Sequence, residues 1–178
     1  ICKNNASHKW QSTIKNRRRG SGCHFCSGHK PSEENNLAQK YPKLLEFWHP
    51  TKNEGISSSS LSPSSNKKVW WKCSKGSDHE WEESVNMRIK HGKPSGCPFC
   101  ANKRISKTNN LKYLYPDLAT EWDYLKNLSL SPEKVVPGSN KSVWWICKYD
   151  DRHRWRTRIA HRSGGSGCPY CSGRLKIQ

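Results

Sequence analysis

The segment VWWICKYDDRHRWRTRIAHRSGGSGCPYC, residues 143–171, contains the pattern that decides the fold. It begins with an apolar run, places Cys147 and His153 in a C-x5-H arrangement, and closes with Cys168 and Cys171 in a CxxC turn. Three thiols and one imidazole at these spacings suit a tetrahedral Zn²⁺ ion, to which each turn supplies two ligands. The segment therefore predicts a small Cys3His zinc module.

The same ligand pattern occurs three times along the chain. Each copy has a Trp two residues after its histidine, an Arg seven residues after that Trp, and a closing Ser-Gly-Cys-x-x-Cys. All nine cysteines belong to one of the copies, so we expect three structural Zn²⁺ ions with full coordination and no open position for a catalytic water. The predicted ligands are Cys2, His8, Cys23 and Cys26, then Cys73, His79, Cys97 and Cys100, and finally Cys147, His153, Cys168 and Cys171.

The segments between the ligand sets repeat as well, because residues 26–73 align with residues 100–147 without a gap. In the middle copy we expect strands at 69–73 and 79–89. In each intervening segment we expect one short helix that ends before a proline and another that begins at it. The first copy lacks the V-W-W strand, which predicts that the chain is part of a longer protein. The predicted division is zinc module 1 at 1–26, a helical linker at 27–66, module 2 at 67–100, a second helical linker at 101–140, and module 3 at 141–178.

The composition favours a fold that depends on metal. Of the 178 residues only 32% are hydrophobic and the mean hydropathy is -1.02, although the chain has nine tryptophans. Small units without a large aliphatic core usually need metals or disulfides. We expect a small metal-stabilised α+β fold, a tandem array of zinc-ribbon or treble-clef-like β-hairpin modules joined by short helical linkers. We also expect an intracellular reducing compartment (cytoplasm, nucleus or organelle matrix) and no membrane partner, because the cysteines match metal ligands and no apolar run is long enough to span a bilayer.

The formal net charge of +18 is concentrated in the modules. Residues 1–26 carry +6, residues 67–100 carry +3 and residues 141–171 carry +5. In the third copy arginines alternate from 152 to 158, a spacing that would place them on one face of a strand, where a phosphate backbone would neutralise them. The middle copy has three glutamates there, so we expect the outer copies to bind more strongly. The candidate nucleic-acid contacts are Lys15, Arg17, Arg18, Arg19, Arg88, Arg152, Arg154, Arg156, Arg158 and Arg162.

The other histidines and the tryptophans have simpler interpretations. None of the remaining histidines recurs between copies, so we expect them to be exposed or incidental, with His91 as an alternative ligand of the middle site. The repeated Trp-Trp pair is expected to pack between the hairpin and the linker helix. The remaining histidines are His24, His29, His49, His91 and His161.

The repeated motifs resemble a known family. The run from Tyr115-Pro116 to Glu121-Trp122, the run Gly138-Ser139-Asn140-Lys141 and the ligand motifs of the third copy are similar to the zinc-ribbon, treble-clef-like repeat domain of unknown function. The resemblance covers nearly the whole chain and departs from the pattern in the first copy. Family members occur as tandem arrays, sometimes beside endonuclease-like domains, and the resemblance therefore implies a role connected with DNA.

The leading hypothesis is a non-enzymatic nucleic-acid-binding tandem zinc protein, with DNA slightly favoured over RNA. Its basic hairpin faces would contact the phosphate backbone. One alternative is a structural zinc-binding subunit of a large nucleoprotein assembly such as a ribosome or polymerase. Another is the targeting arm of a nuclease whose catalytic domain lies outside this sequence. No convincing carboxylate cluster indicates catalysis within 1–178, and we expect no small-molecule substrate.

Overall fold

The structure, a computed structural model, describes residues 1–176 and consists of short elements joined by turns. The last two residues of predicted module 3, at 177 and 178, lie outside the described part. None of the helices over the described residues has both the length and the apolar character needed to cross a bilayer. The helices are α1 (Ile14–Arg18), α2 (Leu37–Lys40), α3 (Leu111–Leu114), α4 (Pro116–Thr120), α5 (Tyr124–Asn127) and α6 (Ile159–Ser163). The strands are β1 (Lys68–Lys72), β2 (Glu80–Ser84), β3 (Ile89–Lys90), β4 (Lys93–Pro94), β5 (Ser142–Ile146) and β6 (Arg154–Arg158).

The chain forms two compact units. The first contains Ile1–Ser74 and His79–Gly96, and the second contains Lys75–Asp78 and the chain from Cys97 onward. Each unit contains one antiparallel hairpin of five-residue strands, β1–β2 in the first and β5–β6 in the second, and the first also contains the two-residue strands β3 and β4. The division into three modules and two linkers remains a prediction.

The strands of both hairpins alternate between a buried and an outward face. In β5, Val143 and Trp145 are buried, whereas Trp144 is half-buried on the outer face, as the period of two requires. Trp145 lies opposite Trp155 of β6 and also forms a bridge with Trp122. The inner tryptophan of the pair therefore packs between hairpin and linker, while the outer one remains accessible.

The second strand of the middle copy is shorter than predicted. A continuous strand over 79–89 is wrong, because β2 ends at Ser84 and Val85 adopts the right-handed helical conformation. This turn keeps the Val85 side chain fully buried while the backbone enters a 3-10 turn at Asn86–Arg88. The chain then forms the small β3–β4 hairpin, whose turn contains Gly92 at a φ of 73°.

The helix–proline–helix pattern is confirmed in both linkers. Helix α3 ends before Pro116, which begins α4, and α2 is followed by a 3-10 turn at Pro42–Phe47. Proline lacks an N–H and has a fixed φ, so it suits the first turn of a helix and not its interior. The side chain of Asn110 caps α3 by accepting a hydrogen bond from the Tyr113 N–H at 2.9 Å.

The second linker also supplies much of the core of the second unit. The Trp122 ring meets the Trp145 ring edge to face, with centroids 5.3 Å apart. The linker side chains are thus part of the same core as the hairpin, which a module of this size could not form alone. The buried core residues are Leu111, Trp122, Val135, Val143, Trp145, Cys147, Trp155 and Ile159.

The first copy contains no strand over residues 1–26 and has helix α1 where the third copy has α6. Ile14 of α1 corresponds to Ile159 of α6 in the repeat. Ile14 is 79% exposed, whereas Ile159 is fully buried against the hairpin core.

Candidate metal centres

The structure brings together all twelve predicted metal ligands in three clusters. Within each cluster, one ligand atom from each of the four residues lies within 4.8 Å of the others. His91, the alternative ligand of the middle site, is exposed in the β3–β4 turn and is not part of the cluster. The clusters are Cys2, His8, Cys23 and Cys26, Cys73, His79, Cys97 and Cys100, and Cys147, His153, Cys168 and Cys171.

Local backbone bonds position the first pair of ligands in each cluster. The N–H of the first cysteine donates to the carbonyl of the histidine, at 3.0 Å for Cys147 and His153. The corresponding distances are 3.1 Å from Cys2 to His8 and 2.9 Å from Cys73 to His79. The C-x5-H spacing therefore folds into the same closed turn in all three copies.

The CxxC turns are closed by a residue in the left-handed region. Gly28, Asn102 and Gly173 follow the three turns at equivalent positions, with φ values of 75°, 54° and 73°. This conformation is open to glycine and, among other residues, is most accessible to asparagine or aspartate. The residue type at this position, glycine or asparagine, thus follows from the geometry of the turn.

An aromatic side chain inside the CxxC turn stacks on the ligand histidine. The Phe25 ring lies 5.0 Å from His8, and the Tyr170 ring lies 4.9 Å from His153, at interplanar angles of 23° and 14°. In these two clusters Nδ1 faces the thiols, at 3.5 to 3.7 Å from the Sγ atoms. Nε2 of His153, the other ring nitrogen, lies 3.6 Å from the Asp150 carboxylate.

The thiols are too close together to ionise independently. The backbone N–H of Asn4 lowers the pKa of Cys2 to about 6, and the hydrogen bond with Cys2 raises the pKa of Cys26 to about 12. Their Sγ atoms are 3.4 Å apart, so a second thiolate needs a cation between them.

The third cluster likewise has one thiol with a lowered pKa and one with a raised pKa. Burial acts to raise the pKa of Cys147, but the N–H groups of Tyr149 and Asp150 lower it to about 7. The pKa of Cys171 is raised to about 12, mainly by its hydrogen bond with Cys147. A Zn²⁺ ion would let all three thiols ionise, and three thiolates with one imidazole would fill its tetrahedral shell. The residues present therefore fit structural zinc.

Three Cys3His clusters, two of them closed by complete hairpins, define a tandem zinc-finger protein with structural metal. A family model described as "Probable Treble clef zinc finger domain" matches residues 1–29, 44–103 and 118–174, and the chain belongs to that family. A comparison with curated proteins finds no match. The predicted family, the α+β fold class and the three structural zinc ions are confirmed.

Two of the candidate nucleic-acid contacts are buried. Arg88 is 1% exposed and Arg162 is 7% exposed, so their prediction as phosphate contacts is wrong. The guanidinium of Arg162 lies 5.4 Å from the Trp145 ring and 5.2 Å from the Trp155 ring, and it pairs with Glu121. It also donates to the carbonyl of Ser166, just before the CxxC turn.

The arginine after each Trp is thus a structural residue of the repeat. Arg88 donates to the Gly96 carbonyl at 2.8 Å and lies over Trp71 and Trp81. Arg17 donates to the Ser21 carbonyl at 2.7 Å, as Arg162 does to the equivalent Ser166, and lies 5.3 Å from the Trp10 ring, although it stays exposed. This arginine recurs at a constant distance from the Trp in all three copies, and that recurrence is the sequence feature that could have predicted its structural role.

Two other arginines of the predicted ladder already have partners. Arg152 precedes β6 in a turn and pairs with Asp150 at 2.7 Å, which lowers the pKa of Asp150 to about 2. Arg154 pairs at 2.7 Å with Asp123, whose side chain is fully buried. The prediction of a four-arginine ladder on one strand face is therefore wrong. Within the described residues, Arg156 and Arg158 are the members of that set that are exposed and have no ion-pair partner.

The buried partner of Arg154 has a counterpart of opposite character in the first unit. Asp123 accepts the Lys126 N–H at 3.0 Å with one oxygen and binds Arg154 with the other. At the equivalent positions, Nδ1 of His49 accepts the Lys52 N–H at 3.1 Å, and Nε2 lies 3.3 Å from Glu80. The acidic and basic partners have exchanged places.

His49 is therefore neither exposed nor incidental, and that expectation is wrong for this histidine, which is 4% exposed. The other remaining histidines are exposed or half-buried. The alignment of the two copies already set His49 against Asp123 and Glu80 against Arg154. The signal was the joint change at both positions, which a comparison of single positions does not detect.

We expect Arg154→Glu to destabilise the second unit by about 3–5 kcal/mol, because it leaves the buried Asp123 facing a second carboxylate. Adding Asp123→His reproduces the pair of the first unit and should recover most of the loss. Urea unfolding in excess zinc measures both effects. Arg156→Glu, on the same strand but exposed, is the control and should change the free energy of unfolding by less than about 0.5 kcal/mol. If the double variant recovered none of the lost stability, the equivalence of the Asp123–Arg154 pair and the His49–Glu80 pair would be contradicted.

Proposed function

We propose that this protein is a non-enzymatic nucleic-acid-binding zinc-finger array, with DNA favoured over RNA by the family's occurrence beside endonuclease-like domains. The observation that carries the proposal is the outer face of β6. Arg156 and Arg158 are exposed there, and no carboxylate within residues 1–176 forms an ion pair with either guanidinium. Such arginines can bind phosphate without first breaking an internal ion pair.

A second basic surface lies on helix α1. Lys15, Arg18 and Arg19 are exposed, and residues 1–26 contain no acidic residue. Contact of either surface with a phosphate backbone would release counterions, so the affinity would fall steeply with salt. Two such surfaces on one chain would also gain avidity on a long polyanion.

The middle hairpin lacks this character. Glu82 and Ser84 take the positions of Arg156 and Arg158, and Glu80 is engaged by Lys52 and Lys72 at 2.7 and 2.8 Å. Those ion pairs lower the pKa of Glu80 to about 2, so its negative charge persists well into the acidic range. The middle hairpin should therefore contribute little to binding.

Exchanging residues between the two hairpins tests this directly. The variant Arg156→Glu/Arg158→Ser gives the third hairpin the residues of the middle one, a combination that the repeat already accommodates. We expect its affinity for duplex DNA to fall and the slope of log K against log salt to decrease by about 2. Fluorescence anisotropy across a salt series measures both, and zinc content should stay at three ions.

The reciprocal variant Glu82→Arg/Ser84→Arg is the matched control and should steepen the salt dependence. Unchanged affinity in the first variant would contradict the role of this face. If the zinc-loaded chain binds neither duplex nor single-stranded nucleic acid at low salt, the proposed function fails. A structural role in a nucleoprotein assembly would then explain the basic surfaces better.

A further inference from the structure

The second unit contains an open groove of about 610 Å³ beside the outer face of its hairpin. Four basic side chains and three aromatic ones contribute to its lining, and no aspartate or glutamate lines it. Its volume lies within the range of sites that enclose a small organic ligand. The basic residues are Arg154, Arg156, His161 and Arg174, and the aromatic ones are Trp144, Trp155 and Tyr170.

Trp144 and Tyr170 are half-buried at this groove, whereas Arg156 and Arg174 are exposed there. Trp155 is a buried core residue paired with Trp145 on the inner face of the hairpin. The groove therefore combines two partly exposed aromatic side chains with exposed basic ones. Proteins that bind single-stranded nucleic acid combine aromatic side chains for base stacking with positive charge that follows the backbone.

The backbone of Trp144 is held by the Asn127 side chain. The Asn127 amide accepts a hydrogen bond from the backbone N–H of Trp144 at 2.9 Å and donates one to the Trp144 carbonyl at 2.8 Å. The Lys126 ammonium lies 4.0 Å from the centroid of the ring. Because the backbone of Trp144 is already fixed, a base that stacks on its ring would lose little binding energy to ordering the backbone.

We propose that this groove binds a single-stranded segment of nucleic acid, with one base stacked on Trp144 and the flanking phosphates on Arg156 and Arg174. This proposal rests on the proposed function. Arg156 lies directly across the hairpin from Trp144, so a base on the ring brings its phosphate to the guanidinium. A base within a duplex is stacked and paired, and it could reach the ring only after leaving the helix.

The first unit provides a matched comparison. Trp70 has the same environment as Trp144, with Asn53 bonded to its backbone and the Lys52 ammonium 4.3 Å from its ring. Its partner across the hairpin is Glu82, where Trp144 has Arg156. Trp70 therefore has the aromatic surface and the neighbouring lysine, but it has a glutamate in place of the arginine across the hairpin.

The experiment compares Trp144→Leu with Trp70→Leu in the full zinc-loaded chain. The probes are fluorescein-labelled oligothymidylate of about 12 nucleotides, the matching oligouridylate, and a DNA duplex of the same length. We expect Trp144→Leu to weaken binding to the single strands roughly 10-fold while leaving the duplex affinity and the content of three zinc ions unchanged. Trp70→Leu should change neither affinity by more than about 2-fold, because Glu82 repels a phosphate.

The variant Arg174→Ala makes the test independent of the hairpin packing. It should lower the salt slope for the single strand by roughly one unit. Equal loss of single-strand and duplex binding in Trp144→Leu would overturn the proposal, as would unchanged single-strand binding. Either result leaves the proposed function standing if the duplex still binds in a salt-dependent manner. Absence of binding to all three probes would contradict the proposed function itself.

Discussion

Replacing His153 with alanine is expected to remove one of the three zinc ions and to unfold the hairpin of the second unit. The core around Trp145 is small and includes two ligands of the third metal site, since Cys147 is a core residue and Cys168 packs against it. Structural zinc supplies about 10–16 kcal/mol in modules of this kind, which is comparable with the whole free energy of unfolding of an ordinary domain. Zinc stoichiometry and near-ultraviolet circular dichroism of the tryptophans measure the two effects.

The matched control for this prediction is His161→Ala. His161 is exposed and lies outside the three clusters, so the variant should retain three zinc ions and the tryptophan signal. Retention of three zinc ions by His153→Ala would show that another side chain completes the third site. Loss of zinc from both variants would show that metal content does not report on the ligand set.

Replacing Arg162 with methionine should destabilise the second unit by about 3–5 kcal/mol, because Glu121 and the Ser166 carbonyl lose a buried partner together. The variant also loses the contacts of the guanidinium with the rings of Trp145 and Trp155. A lysine side chain, which lacks the planar guanidinium, would pack poorly against these rings. Urea unfolding in excess zinc, followed by tryptophan fluorescence, measures the change. Arg162→Lys is expected to recover only part of it.

Two further variants separate packing from charge in that result. Arg158→Ala removes an exposed arginine nearby and should change the free energy of unfolding by less than about 0.5 kcal/mol. Glu121→Phe introduces the residue of the first unit, where Phe47 lies 5.5 Å from the Arg88 guanidinium, and should be better tolerated than Arg162→Met. A loss below about 1 kcal/mol in Arg162→Met would contradict the structural role assigned to this arginine.

Features that depend on neighbouring residues could be predicted from the sequence. The twelve ligands were predicted because C-x5-H and CxxC are local turns whose spacing itself places the ligand atoms. The paired helices around Pro42 and Pro116 followed from the missing N–H and the fixed φ of proline. In both cases the decisive energies act within a few residues.

Features that depend on distant residues could not be predicted in this way. The sequence shows the charge of a lysine or arginine but not its exposure. The same residue type can bind phosphate at the surface or lie buried, where it packs against aromatic rings and donates to backbone carbonyls. Arg162 is buried because Glu121, 41 residues earlier, and two tryptophans surround it. Likewise Arg154 is engaged because the linker brings Asp123 to it across 31 residues.

The sequence by itself thus determined three zinc modules, their ligands and a strong basic charge. The tertiary structure decided which of that charge is available, because packing against the linker core turns Arg88 and Arg162 inward and pairs Arg154 with Asp123. It also decided that Trp145 forms the core while Trp144 lines a basic groove. The physical reason is that ligand spacing is a property of local turns, whereas burial and ion pairing depend on which distant segments the folded chain brings together.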